Sequence, residues 1–403
     1  MLRKIPVDAV RAGMYIHSFE GDWLSNPFWK SRFVIDKPDD VQRLRTSGLV
    51  AVWIDLSKGL DLAPVVGPAV GEQMASTIAT ATPELPTVAT VPRCTVRDEL
   101  QRAARILSKS KKAVGELFNE ARLGKAIDVD SCLPLVSDIS DSLARNGSAL
   151  IGLARLKHKD EYTYMHSVTV CALMVSLSRQ LGLDEATARE AGLAGLLHDV
   201  GKMAMPSAVL NKPGSLTDDE FAIMRSHPER GHALLAAAEN LPASVLDVCL
   251  HHHEKFDGTG YPHRLKGEEI SLFARMGAVC DVYDAITSNR PYKTAWNPAD
   301  SVARMAQWSG HFDTRIFHAF VRSVGIYPLG SLVRLESGRL GVVIEQHEDR
   351  LTEPVVRVFF SSKTRMQIQP QDLDLSRRNP GDRIVGREDP VQWGFNKLED
   401  IWR

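Results

Sequence analysis

Eight of the thirteen histidines in this chain fall between His166 and His263, and the informative ones stand beside acids. Asp199 follows His198, Glu254 follows His251-His252-His253, and Asp281 follows Cys280, while His227-Pro228 lies between the first two clusters. An isolated histidine is more often a surface or satisfied core residue than a ligand, so the surroundings decide. Ala188–Leu197 is an apolar helical run that ends in His198-Asp199-Val200-Gly201-Lys202. Leu246, Val248, Cys249 and Leu250 lead into the three consecutive histidines, and Ala274, Val279, Val282 and Ile286 surround Asp281. A carboxylate at the end of a buried helix sits in low dielectric and needs a cation to justify its charge. Buried carboxylates and clustered imidazoles without thiolates select metals that bind N and O: Fe, Mn, Mg or Zn. Other catalytic patterns fail. Asp257 stands where an HExxH motif starting at His253 needs its second histidine, and there is no P-loop, dinucleotide-binding glycine pattern or GxSxG. The residues alone point to a polynuclear metal hydrolase.

The elements that must carry these groups are helical. From Thr95, Leu100, Ala103, Leu107, Val114 and Leu117 recur at helix spacing, and Val136, Ile139 and Leu143 begin another stripe. Helices punctuated by loops continue over 160–325. Residues 1–60 have another character: Gly13–Ile16, Arg32–Ile35 and Val50–Leu56 read as strands, and Pro38-Asp39-Asp40 opens a helix that Gly48 stops. Trp23, Phe28 and Trp29 form an aromatic cluster there, read as a small core or packing surface. Prolines at 64, 68, 83, 86 and 92 mark an extended linker over 61–94. After Tyr327 the period changes again: Leu332–Leu335 and Leu340–Ile344 flank Ser337-Gly338 as a hairpin, and Val355–Phe360 is a further strand. The expected fold class is mainly α, an all-helical central domain over 130–326. A helical connector (95–129), a small α+β N-terminal domain (1–60) and a small antiparallel β C-terminal region (327–403) complete it.

Composition narrows the function. Lys+Arg 49 against Asp+Glu 50 leaves a net charge of −1, which excludes a polyanion binder working by global attraction. Arg97–Lys125 is locally basic, but lacks the run of interleaved aromatics that base stacking uses, so it reads as a solvated helix face and no DNA partner is expected. No window approaches the apolar length of a membrane span, and the N-terminus lacks the apolar stretch of a secretory signal. The five cysteines lie far apart without a CxxC pair, which argues against disulfides and a thiolate zinc site. A cytoplasmic protein without a membrane partner is the expectation.

With the residues laid out, Leu196-Leu197-His198-Asp199-Val200-Gly201-Lys202 resembles the signature of the HD superfamily of metal-dependent phosphohydrolases. The segment from His252 through Gly260-Tyr261-Pro262 resembles the extended signature of its HD-GYP branch, and Asp281–Lys293 continues that pattern in register. The resemblance covers about residues 130–325, and the first sixty residues are similar to a poorly characterised domain that often precedes HD-GYP domains. It implies a bacterial phosphodiesterase that hydrolyses cyclic di-GMP to pGpG and onward to GMP by attack of a metal-bridged water or hydroxide. It further implies His166, His198, Asp199, His227, His252, His253 and Asp281 as ligands of two divalent ions, most readily Fe or Mn, with Asp199 bridging. Lys202 corresponds to the lysine on the reacting phosphate, Arg290 and Lys293 to basic positions that hold substrate phosphates, and Gly260, Tyr261 and Pro262 to the loop beside the site, with Tyr261 offered to guanine. Three departures stand out. Tyr162 replaces the glutamate of three-metal members, Arg264 replaces a usual glycine, and His251 is an extra histidine assigned to a supporting role. Alternative readings are an inactive cyclic di-GMP sensor that recruits diguanylate cyclases through the GYP loop, and an HD hydrolase of another nucleotide. A homodimer is a further possibility that the resemblance leaves open.

Overall fold

The computed structural model describes residues 2–20, 33–35, 38–45, 51–55, 58–60, 92–156, 162–212, 214–288, 296–347, 349–377, 381–395 and 397–402. The expected linker up to residue 91, the Trp23, Phe28 and Trp29 cluster, and Arg290 and Lys293 lie outside these residues. The chain forms two compact units, Met1–Val88 and Ala89–Arg403.

Among its described residues the first unit is a four-stranded antiparallel sheet with one α-helix, α1 (Pro38–Arg45). Strands β1 (Leu2–Pro6), β2 (Tyr15–Glu20), β3 (Phe33–Val34) and β4 (Ala51–Asp55) lie in the order β1-β4-β2-β3. The sequence reading misses β1, whose alternation is short and interrupted by charge. Ile5 from β1, Ile16 from β2 and Val52 and Ile54 from β4 nevertheless meet Met14, Ile35 and Leu44 in one buried core.

The second unit begins with α2 (Val96–Arg122), capped by Thr95, whose hydroxyl accepts from the Asp98 N–H at 3.3 Å. Helices α3 (Leu133–Arg145), α4 (Ala149–Ala154), α5 (Tyr162–Gln180) and α6 (Glu185–Leu197) follow. Val170–Val175 of α5 and Ala191–Leu197 of α6 are buried on every side, as an all-round apolar sequence requires. Asp184 caps α6 by accepting from the Thr187 N–H at 2.9 Å, and the helix stops at the His198-Asp199 pair, where a 3-10 turn, Val200–Ala204, takes over. Next come α7 (Ser207–Leu210), α8 (Asp218–Met224), α9 (His227–Leu235), α10 (Ala243–His251), α11 (Leu272–Thr287), α12 (Pro298–Met305) and α13 (Thr314–Val324). Among the described residues no helix is long and apolar enough to cross a membrane.

An antiparallel five-stranded sheet follows, ordered β8-β7-β6-β5-β9: β5 (Leu332–Leu335), β6 (Arg339–Glu345), β7 (Val355–Ser361), β8 (Met366–Asp374) and β9 (Ile384–Arg387). The hairpin of β5 and β6 turns at Ser337-Gly338 as the spacing suggests. Strands β8 and β9 are not legible beforehand because both lie at the edges, β8 being mostly polar and exposed and β9 only four residues long. One face of this sheet does not form a core of its own. Leu332, Leu340, Val342 and Phe359, with Trp402 of the last helix α14 (Glu399–Trp402), pack with Val96 of α2 and Ala149 of α4.

Candidate metal centre

Five segments of the second unit converge on one buried cluster. His166 comes from α5, His198 and Asp199 from the end of α6, His227 from the start of α9, His252 and His253 from the end of α10, and Asp281 from the middle of α11. His166, His198, Asp199, His227, His252 and Asp281 are all buried, and His253 nearly so. Close backbone packing holds the two halves together. A Cβ at Gly201, in the 3-10 turn, would stand 1.9 Å from the His227 carbonyl oxygen and 2.4 Å from the Gly231 nitrogen. Only glycine lets the turn after Asp199 seat directly on α9 and bring His227 to it.

Backbone carbonyls set which imidazole nitrogen faces inward. His198 Nδ1 lies 2.8 Å from the Gly195 oxygen, His227 Nδ1 2.8 Å from the Met224 oxygen, and His252 Nδ1 3.0 Å from the Val248 oxygen. Each Nδ1–H can therefore donate to a backbone carbonyl three or four residues earlier, which leaves the Nε2 lone pair pointing into the cluster. His166 is oriented differently: its Nδ1 lies 2.6 Å from Asp284 Oδ2, and Asp284 is itself buried and accepts from the Ser288 hydroxyl.

The inward atoms divide around Asp199. Its Oδ2 lies 3.3 Å from His166 Nε2 and 3.4 Å from His198 Nε2, whereas its Oδ1 lies 3.3 Å from His227 Nε2 and 3.8 Å from His252 Nε2. Asp281 Oδ1 is 3.0 Å from His166 Nε2, and its Oδ2 is 3.8 Å from His253 Nδ1. Two triads have ligand atoms close enough to share an ion: His166, His198 and Asp199, and His227, His252 and His253.

The residues present fit metal ions. His198 Nε2 and Asp199 Oδ1 are buried and make no hydrogen bond, and a buried acceptor left unmatched costs about 1–3 kcal/mol. His227 Nε2 and His252 Nε2 face each other at 3.3 Å, an approach of two lone pairs that a shared cation resolves. Burial pushes His253 down to about 3 and holds His252 well below the ordinary range, helped by neighbouring imidazoles, so both rings are neutral donors. Burial would raise the carboxyls of Asp199 and Asp281, but their partners outweigh it: the Lys202 ammonium holds Asp199 well below the carboxylate range, and His166 does the same for Asp281. Burial would lower His166, yet its hydrogen bonds to Asp199, Asp281 and Asp284 push it up to about 10. The carboxylates thus demand positive charge, as a divalent cation would supply it.

Lys202 sits at the rim, a fifth exposed, with its ammonium on Asp199 Oδ2. The Gly260-Tyr261-Pro262 loop folds against the cluster. The Tyr261 N–H donates to the His253 oxygen at 3.3 Å, the Tyr261–Pro262 peptide is cis, and the buried Glu254 accepts the His263 N–H at 2.7 Å. A Cβ at Gly260 would lie 2.4 Å from the Lys255 nitrogen, so this backbone approach also requires glycine. The Tyr261 ring is already engaged by the protein: it stacks on His253 at 4.7 Å between centroids, and the Arg225 guanidinium carbon lies 4.5 Å from its centroid. His251 stays out of the cluster, with Nδ1 2.7 Å from Asp247 and Nε2 2.9 Å from His263. Arg264 stands in the left-handed backbone region, with φ 56°.

Sequence reasoning overlooked two contributors. Asp284 could have been found, because it follows Asp281 by one helical turn within a helix already assigned to the site. Arg225 had no sequence signal, since the loop that brings Tyr261 under it is built from residues far along the chain.

The chain is similar to several known proteins. The HD domain family matches residues 139–316, and a domain of unknown function (DUF3391) matches residues 2–132. A protein of Pseudomonas aeruginosa named as a cyclic di-GMP phosphodiesterase is 53% identical over 404 residues, covering 100% of this chain and 96% of its own length. The response regulator RpfG of Xanthomonas campestris, also named a cyclic di-GMP phosphodiesterase, is 40% identical over 47% of this chain and 50% of its own. A Vibrio cholerae protein named a 3'3'-cGAMP-specific phosphodiesterase is 39% identical over 38% of this chain and 30% of its own. With the buried histidine and aspartate cluster formed by the same segments that carry the HD and GYP signatures, the chain belongs to the HD-GYP family of metal-dependent phosphohydrolases and is an enzyme of the phosphodiesterase class.

Proposed function

We propose that this enzyme hydrolyses cyclic di-GMP to pGpG, GMP or both, at a centre of two divalent ions, Fe or Mn. The observation that carries this reading is the division of Asp199, whose Oδ2 faces His166 and His198 while its Oδ1 faces His227 and His252. A carboxylate placed that way can serve two ions at once. In this reading His166, His198 and Asp281 hold one ion, His227, His252 and His253 the other, and Asp199 serves both. Divalent ions there would supply Lewis acidity toward a phosphodiester and lower the pKa of a water.

The chain's own residues supply the rest. Carbonyl-bound Nδ1–H groups keep His198, His227 and His252 in the tautomer that offers Nε2, with no reorganisation needed on binding. Lys202, partly exposed beside Asp199, offers its ammonium to a phosphoryl oxygen as negative charge grows there. Tyr261, with Arg225 on its ring, braces His253, and by the family resemblance Arg290 and Lys293 would add positive charge for a substrate that carries two phosphodiester groups. The relative named for cyclic di-GMP spans the entire chain, whereas the relative named for 3'3'-cGAMP matches only part of it, which supports the first substrate over the second.

The test is turnover of cyclic di-GMP by anaerobically purified, metal-counted protein beside a His198→Ala, Asp199→Ala double variant, with 3'3'-cGAMP as a parallel substrate. Linear product from the wild type alone supports the reading. Metal-loaded wild type that binds cyclic di-GMP but leaves it intact would overturn it in favour of a sensor, and preferential hydrolysis of 3'3'-cGAMP would reassign the substrate.

A further inference from the structure

A second cleft lies away from the metal centre in the same unit. It encloses about 990 Å³ between the end of α5, the turn joining α3 to α4, the end of α13 and the loop after β6. Arg179 on its wall follows His166 along α5 by about 20 Å at 1.5 Å per residue, and none of the metal-centre residues lines the cleft.

Its lining is cationic. Arg93, Arg145, Arg179, Arg322 and Arg350 line it with Glu345 and Asp349, and Glu99, Glu185 and Glu353, which hold Arg145, Arg179 and Arg350, lie outside the lining. Arg145 is clamped from behind by Glu99 at 2.8 and 2.9 Å, and Arg179 by Glu185 at 2.8 Å. Those pairs fix the guanidinium planes. Arg179 Nη1 is buried without a hydrogen-bond partner, and among the described residues no carboxylate pairs with the exposed Arg322. The wall is rigid as well as charged: Gln346 donates to the Val324 and Tyr327 oxygens at 2.9 and 3.0 Å and accepts from the Ser148 hydroxyl at 3.4 Å, tying β6 to α13 and α4.

We infer that this cleft is a second ligand site, distinct from the metal centre, that binds a nucleotide through its phosphate. The planar guanidinium of Arg322 matches phosphate oxygens, while Arg145, Arg179 and Arg350, held by acids behind them, set a fixed wall beside it. The volume is that of a small-molecule pocket, and its many serine, asparagine and glutamine groups suit a sugar and base better than an apolar ligand.

The experiment is calorimetric titration of GMP into the metal-loaded full chain, its Arg322→Glu variant, and the His198→Ala, Asp199→Ala double variant. The wild type should bind two equivalents, one at each site. Arg322→Glu should lose one equivalent or weaken it at least tenfold, while keeping the wild-type thermal midpoint and cyclic dinucleotide turnover. The double variant should retain that equivalent. The inference is overturned if Arg322→Glu binds GMP like the wild type, or if the double variant binds none. Since turnover is measured separately, a failure here is distinguishable from a failure of the catalytic reading.

Discussion

Asp284 is the sharpest place to test how the centre is built. Its Oδ2 lies 2.6 Å from His166 Nδ1, it is fully buried, and it also accepts from Ser288. Asp284→Asn keeps the shape and an acceptor oxygen but removes the charge. A hydrogen bond to a charged partner is worth about 1.5–3 kcal/mol and a neutral one about 1, so the variant forfeits roughly 1–2 kcal/mol of support for His166. That converts to a loss of roughly 5- to 30-fold in metal affinity, overlapping the lower part of the roughly 10–100-fold range typical of carboxylates behind ligand histidines. The assay is competitive titration of Mn or Fe(II) against a chromophoric chelator, with metal content counted on the same samples. Asp247→Asn is the control, because Asp247 orients His251, which stands outside the cluster. Wild-type affinity in Asp284→Asn, or an equal loss in Asp247→Asn, would refute the argument that the His166–Asp284 pair tunes the site.

Gly201→Ala should cost about 3 kcal/mol or more and strip metal together with stability, because its Cβ meets backbone atoms of His227 and Gly231 that cannot rotate away; thermal unfolding and metal counting check both. Arg264→Gly should stabilise the protein by about 1 kcal/mol, read as a higher thermal midpoint, since glycine carries no penalty at φ 56°. Burial would raise the Glu99 carboxyl, but hydrogen bonds from Arg145 and Ser142 outweigh it and lower the group below its ordinary 4.5. Its stabilising contribution is therefore complete above that pH and is lost as pH falls through the lowered value, so the thermal midpoint should drop in that acid range. Glu99→Gln should flatten that part of the profile and cost about 3 kcal/mol at neutral pH, an outcome that pH-dependent calorimetry would contradict if the two profiles stayed parallel.

Much of the chemistry was legible in order along the chain. His198-Asp199, His252-His253 and Asp281 each follow or interrupt an apolar helical run, and the HD and GYP signatures name a metal phosphohydrolase from local residue types alone. Periodicity likewise located α2, α6, α11 and the β5–β6 hairpin, because burial on one side or all sides leaves a repeating mark. What periodicity does not carry is the meeting of distant segments. That Asp199 turns one oxygen to His166 and the other to His227, that Arg225 lies on Tyr261, and that Arg179 and Arg322 share a cleft follow from how α5, α9, α13 and the sheet pack. Strands β1, β8 and β9 also escaped, since pairing partners rather than their own residues stabilise short or polar edge strands. Residue types and spacing determined which groups could bind a metal; tertiary packing decided which lone pairs face one another, because that geometry is set by contacts between residues the chain keeps far apart.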